Sequence, residues 1–212
     1  MDNRPIGVFD SGIGGLTVVD ALSKSLPNEI IYYVGDTARV PYGNKSKNRI
    51  QQYALEITNW LNKKDCKIII VACNTASALS LKYLSSIFSI PIIGVIDSGV
   101  KRGITITQNN KIAVLGTSAT IRSNAYGEKI KAVKPKTSVI SQACPLFVPL
   151  AEEGWIEGKI PMQIAAHYLS NIKKARVDTV ILGCTHYPLL KNIISTTLGE
   201  KVNLVDSGEA VV

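Results

Sequence analysis

This chain is short of the residues that build disulfide scaffolds, metal clusters and aromatic binding surfaces. Its 212 residues include four cysteines, two histidines, two tryptophans and three phenylalanines. Cys66, Cys73, Cys144 and Cys184 are widely spaced, and none forms the CxxC pair of a zinc or redox site. They read as free thiols in a reducing compartment. Long apolar runs are also missing: no stretch approaches the roughly 18 to 20 residues of a membrane span, and the opening MDNRPIGVFD lacks a charged-then-apolar signal pattern. The expected location is the cytoplasm, with no membrane partner. Neither GxGxxG nor GxxxxGK[ST] occurs, which removes the dinucleotide and P-loop readings. Acidic residues are outnumbered, 16 against 24 Lys and Arg, for a net charge of +8. The excess includes Lys63-Lys64 and Lys173-Lys174 at expected helix ends, where cations favour the helix dipole, and no aromatic-basic surface pattern accompanies it. A solvated surface is expected, not a nucleic-acid partner.

What is present is an alternation of short Ile/Val-rich runs with stretches of helical periodicity, the mark of a parallel sheet with crossover helices. Strands are expected at Ile6–Phe9, Ile30–Val34, Lys67–Val71, Ile92–Val95, Lys111–Leu115, Thr137–Ile140, Val177–Leu182 and Val202–Val205. Helices are expected near Leu16–Leu26, Ser46–Asn62, Ala76–Ser86, Val100–Gln108, Ala119–Lys131, Pro161–Lys174 and Pro188–Thr197. Two internal echoes suggest similar α/β halves. Asp10-Ser11-Gly12 resembles Asp97-Ser98-Gly99 and Asp206-Ser207-Gly208, each expected at a strand end, although helix capping alone favours such residues there. Val71-Ala72-Cys73-Asn74-Thr75 resembles Leu182-Gly183-Cys184-Thr185-His186. The expected division is residues 1–97 and residues 98–206, two similar α/β domains, each a mainly parallel sheet flanked by helices. The Asp-Ser-Gly-Glu-Ala run before Val212 resembles the start of a helix, so a continuation beyond Val212 is expected.

Ligands of parallel α/β sheets bind beyond the carboxyl ends of the strands. There the sequence places Asp10-Ser11-Gly12-Ile13-Gly14-Gly15, Gly35-Asp36-Thr37, Pro41-Tyr42-Gly43, Cys73-Asn74-Thr75, Thr117-Ser118-Ala119-Thr120 and Cys184-Thr185-His186. With the nucleotide readings closed, helix N-termini aided by Ser11, Asn74, Thr75, Thr117 and Thr185 suit small carboxylates. The same residues also serve as plain N-caps elsewhere. Cys73 and Cys184 each follow an apolar strand and precede a helix, where partial positive charge lowers a thiol pKa from about 8.5. A free cysteine is most often a small core residue, and Cys66 and Cys144 are read that way. Two cysteines in matching contexts point instead to a pair of acid/base thiols. Cys-x5-Arg is absent, which closes the phosphatase route, and Cys184 with His186 alone is a poor zinc chelate. A single-thiol hydrolase using Cys184, His186 and Asp10 stays open but leaves Cys73 idle. Asp10 and Asp36 are within expected reach of Cys73, His186 lies beside Cys184, and Glu152 stands in an expected loop after Pro149.

Taken together, Asp10–Leu16, Gly35–Gly43, Ala72–Ala76, Cys144–Gly154 and Gly183–Pro188 resemble the bacterial glutamate racemases over nearly the whole chain. The paired cysteine motifs alone indicate the wider aspartate/glutamate racemase superfamily; the Pro-Tyr-Gly and Cys-Pro-Leu-Phe-Val-Pro-Leu segments favour glutamate. The resemblance implies cofactor-independent racemisation with no pyridoxal phosphate or metal, in which Cys73 and Cys184 are the acid/base pair and Asp10, Glu152 and His186 assist. It implies substrate contacts from Asp10, Ser11, Pro41, Tyr42, Gly43, Asn74, Thr75, Thr117, Thr120, Thr185 and His186. It further implies that the two domains face each other with the active site in the cleft between them, glutamate as substrate, D-glutamate supply for peptidoglycan, a homodimer, and a C-terminal segment from about residue 207 that returns to the first domain. Aspartate or another acidic amino acid is the alternative substrate.

Overall fold

The computed structural model describes residues 2–211; Met1 and Val212, and with them the expected continuation past the chain's end, lie outside the described residues. Among the described residues, eight strands form two separate four-stranded sheets, every pairing parallel. β1 (Ile6–Asp10), β2 (Ile31–Gly35), β3 (Ile68–Val71) and β4 (Ile92–Gly94) make the first, in the order β2-β1-β3-β4. β5 (Lys111–Gly116), β6 (Ser138–Ala143), β7 (Thr179–Gly183) and β8 (Asn203–Asp206) make the second, in the order β6-β5-β7-β8. The expected fold class stands.

Central strands are buried on both faces, so β1 and β7 carry five buried residues each and show no polar alternation. Helices α1 (Leu16–Ser25), α2 (Lys47–Lys63) and α3 (Asn74–Ser85) cover the first sheet. The face of α2 that meets it is Ile50, Ala54, Ile57 and Leu61, and Ser46 caps its start by accepting the Arg49 N–H. Each such apolar side chain contributes about 1.5 to 3 kcal/mol by leaving water. Leu61→Ala is the single change most damaging to that helix, because Leu61 is fully buried where Gly7 has no side chain.

α4 (Val95–Ile106) packs Ile96 and Val100 on Ile112 and Ile181 of the second sheet. α5 (Ser118–Arg122), α6 (Ala125–Val133), α7 (Phe147–Glu152), α8 (Lys159–Ala175) and α9 (Lys191–Leu198) complete that half. Among the described residues no helix is long and apolar enough to cross a membrane.

Three local expectations are corrected. The expected helix over Ala119–Lys131 is two helices, because Asn124 adopts a left-handed conformation (φ 54°) between α5 and α6. Glu152 does not stand in a loop: it ends α7, whose Pro149 occupies the first turn, where its missing N–H costs nothing. Asp97-Ser98-Gly99 is not at a strand end. α4 begins at Val95, directly after the short β4, so Asp97 sits in the helix's first turn, favourable for an acid, and pairs with Lys129 at 2.5 Å on the surface. Only Asp10 and Asp206 are equivalent: each ends a strand and accepts the N–H two residues on, Gly12 and Gly208 respectively.

Candidate active site

The carboxyl ends of the two sheets meet, and the turns after β1, β3, β5 and β7 are brought together there. Asp10 ends β1, fully buried. Its Oδ2 accepts the Gly12 and Gly15 N–H groups at 3.1 Å each, and Thr185 of the other half donates to Oδ1 at 3.2 Å. The turn is tight enough that a Cβ on Gly15 would come within 2.4 Å of the Asp10 Cβ. Burial pushes the Asp10 carboxyl up from the usual range, opposed by the nearby His186 imidazole and by these hydrogen bonds.

Cys73 caps α3, its Sγ accepting the Ala76 N–H at 3.5 Å. The expected lowering of its pKa does not occur. Burial pushes the thiol up to about 12, the Asp10 carboxylate adds to the rise, and the Ala76 and Thr75 amides and the Ser11 hydroxyl offset only part of it. Cys184 follows β7, and burial likewise holds its thiol well above the ordinary value, with the His186 amide opposing. His186 links two groups: its Nδ1 lies 3.8 Å from the Cys184 Sγ and its Nε2 2.5 Å from Glu152 Oε1. Glu152 is the partly exposed end of this chain, whereas Cys73 and Asp10 are sealed.

Hydroxyl groups bridge the halves. Thr75 Oγ1 lies 2.9 Å from Thr117 Oγ1 and 3.1 Å from Thr120 Oγ1, and these two are 3.0 Å apart. Contact across the halves also needs missing side chains: a Cβ on Gly43 would lie 2.4 Å from the Thr117 Cβ, and one on Gly14 would lie 2.7 Å from Thr185 Oγ1. A cleft of about 340 Å³, lined by Pro41, Gly43, Thr117, Val148, Pro149 and Glu152 among others, opens beside this cluster.

The sequence-derived residues are thus gathered from both halves with two qualifications. Tyr42 is buried and its hydroxyl donates to Asp36, so that side chain belongs to the core, while its neighbours Val40, Pro41, Gly43 and Asn44 line the cleft. Asp36 is committed to Tyr42 and to Arg39, 2.6 Å away, not to Cys73. Cys66 and Cys144 are buried packing residues as expected. Among the described residues, no three His, Cys, Asp or Glu side chains come close enough to hold a metal ion. Sequence reasoning missed Tyr126 and Ser207, which both donate to the Asn74 side-chain carbonyl from the second half. Tyr126 carried no local signal; Ser207 lay in an Asp-Ser-Gly echo whose partner residue had no counterpart in sequence.

Comparison with known proteins places this geometry. The family model described as Asp/Glu/Hydantoin racemase matches residues 7–212. A glutamate racemase of Geobacter metallireducens is 52% identical over 206 residues, covering 97% of this chain and 76% of the relative. Among solved structures, a glutamate racemase isoform of Bacillus anthracis superposes with a TM-score of 0.96 at 40% identity, over 100% of this chain and 80% of that one. The glutamate racemase of Francisella tularensis, solved in complex with D-glutamate, superposes with a TM-score of 0.93 at 46% identity, over 99% of this chain and 79% of that one.

Proposed function

The chain belongs to the Asp/Glu/hydantoin racemase family and, within it, to the glutamate racemases, isomerases of an amino acid; on that premise we propose that it interconverts L- and D-glutamate by moving the α-proton between Cys73 and Cys184. One observation carries the two-thiol reading: two buried cysteines at corresponding strand ends of facing sheets, with His186 Nδ1 3.8 Å from the Cys184 Sγ and the Asp10 carboxylate acting on Cys73 electrostatically.

Inverting a carbon centre is better served by a base on one face and an acid on the other than by a single group. One cysteine, as thiolate, takes the α-proton: the Cα–H bond breaks, an S–H bond forms, and the electron pair spreads into the α-carboxylate. The thiol opposite gives its proton to the same carbon and becomes the thiolate. Burial of both thiols acts in two opposed senses. It makes the thiolate scarce, yet it makes each thiolate a stronger base toward a weakly acidic C–H. Asp10 takes and returns the Cys73 proton, and His186, held by Glu152, does so for Cys184. Donors suit carboxylates, so Ser11, Asn74, Thr75, Thr117 and Thr120 and the backbone around Pro41, Tyr42 and Gly43 hold those groups. Asp10, Thr185 and His186 complete the shell, with the Asp10 carboxylate suited to the ammonium. Hydrogen bonds to charge developing on the carboxylate strengthen in the transition state.

The reading extends to residues 1–97 and 98–206 as two domains that close on the substrate, with the tail from about residue 207 returning to the first. Val211 packing on the Ile6, Val8 and Val18 cluster supports that return. By its family the chain acts in the cytoplasm as a homodimer, supplying D-glutamate for peptidoglycan. The test is L-glutamate racemisation followed by circular dichroism in deuterated water. Loss of optical rotation with deuterium appearing at Cα is expected; rotation lost without deuterium uptake would sink the thiol mechanism, and a preference for aspartate in kcat/KM would sink the substrate.

A further inference from the structure

Asn74 stands between the two cysteine-bearing turns and is 2% exposed. Its side-chain carbonyl accepts hydrogen bonds from the Tyr126 hydroxyl at 2.5 Å and from Ser207 Oγ at 3.1 Å, both from the second half. Its Nδ2, a buried donor of two hydrogens, has no partner among the described residues. A buried amide N–H left unmade costs about 1 to 3 kcal/mol, so the arrangement calls for an acceptor that arrives with a ligand. The Tyr126 hydroxyl, donating to the carbonyl oxygen, leaves the amide end of the side chain free.

Both hydroxyls are themselves anchored at the Cys184 side. Ser207 Oγ shares its single proton between Asn74 Oδ1 and the Leu182 carbonyl of β7, 3.0 Å away, and the Tyr126 ring fills the space over Gly183, where an added Cβ would lie 3.1 Å from Tyr126 Cε2. Leu182 and Gly183 lead straight into Cys184, and Asn74 follows Cys73. We infer that Tyr126 and Ser207 are positioning residues: they pin the Asn74 carbonyl so that its amide N–H group faces the substrate as a carboxylate donor, in register with both cysteine turns. This rests on the glutamate racemase reading above and adds to it two residues that touch no substrate atom themselves.

Glutamate binding measured by isothermal titration calorimetry tests the inference, since it needs no turnover. Tyr126→Phe removes one hydroxyl and keeps the ring over Gly183; it is expected to weaken glutamate about 10-fold, and Ser207→Ala about 5-fold, the worth of one oriented hydrogen bond. Asn74→Asp, which keeps an acceptor toward Tyr126 and Ser207 but loses the donor, is expected to weaken it more than either. The decisive comparison is a double-mutant cycle: in an Asn74→Ala background Tyr126→Phe is expected to have no further effect, because its influence passes through that amide. An equal weakening in both backgrounds overturns the inference, as does unchanged or tighter binding in Asn74→Asp. A wild-type chain that binds no glutamate overturns the racemase reading together with it, whereas a wild-type chain that binds and an additive cycle overturn the positioning role alone.

Discussion

The two cysteine turns occupy corresponding places, after β3 and β7, the third strand in the order of each sheet, yet their surroundings differ. Cys73 caps a twelve-residue helix, and the strand paired beside its own, β1, ends in a carboxylate, Asp10. The matching strand of the second sheet, β5, ends in Gly116 and leads to Thr117, with no acid. The second half therefore draws its carboxylate from α7, and His186 spans the gap. The lesson is that a repeated scaffold fixes where the thiols stand but not which titratable groups surround each. The carboxylate on the Cys73 side, Asp10, is sealed, whereas the His186–Glu152 pair on the Cys184 side is open to solvent at Glu152.

The comparison breaks most directly at the thiols themselves. Cys73→Ala and Cys184→Ala are each expected to lower kcat by at least about 10³-fold despite their different surroundings; a variant that keeps wild-type turnover would show that one thiol suffices. Next come the suppliers. Asp10→Asn is expected to cost about 10²-fold or more, and Glu152→Gln about 10-fold, because a relay that reaches solvent has water as a substitute. Enantiomers have an equilibrium constant of one, so kcat/KM falls equally in both directions. The α-deuterium isotope effect discriminates: each variant is expected to raise it in one direction only, and the two in opposite directions. The same direction for both would remove the assignment of one supplier to each thiol.

Smaller effects sharpen the account of how the halves meet. Gly43→Ala places a Cβ against Thr117 and is expected to raise KM for glutamate about 10-fold and to lower the melting temperature by about 2 to 10 °C. An unchanged KM would mean that the Thr75, Thr117 and Thr120 cluster tolerates displacement. The raised thiol at Cys73 bears on stability as well. Above its ordinary value of 9.0 the unfolded chain loses this proton, while the folded chain keeps it up to about 12. The folded state then binds more protons, so stability falls as pH rises through that window, by at most about 1.4 kcal/mol per pH unit for one site. Urea unfolding of Cys73→Ala between about pH 8 and pH 11 is expected to show a shallower decline than wild type; parallel curves would refute the contribution of this thiol.

Much of this was legible in sequence because it is periodic or local. Runs such as Ile68–Val71 and the apolar face of α2 announce themselves by spacing, and the Cys73 and Cys184 turns by their likeness to each other. What escaped depends on distance or on competing local preferences. α7 is six residues long with an internal Pro149, too short for a helical period to show. Asp97 resembled Asp10 in its neighbours, but whether Asp-Ser-Gly ends a strand or opens a helix depends on where β4 stops. The thiol pKa values depend on burial, and no motif reports how deeply a turn is enclosed. Tyr126 and Ser207 reach Asn74 across 52 and 133 positions of sequence.

The shared strand order has one more consequence, which concerns handedness. Two sheets of like order, built from the same enantiomer of amino acid, correspond by rotation and never by reflection. Their substrates, by contrast, are mirror images. A pair of duplicated halves can set thiols on opposite sides of a planar carbon, but the chemical environment one half offers to one enantiomer has no mirrored copy in the other. Unequal flanks around Cys73 and Cys184 are thus what a homochiral polymer must accept when it handles both hands of a molecule.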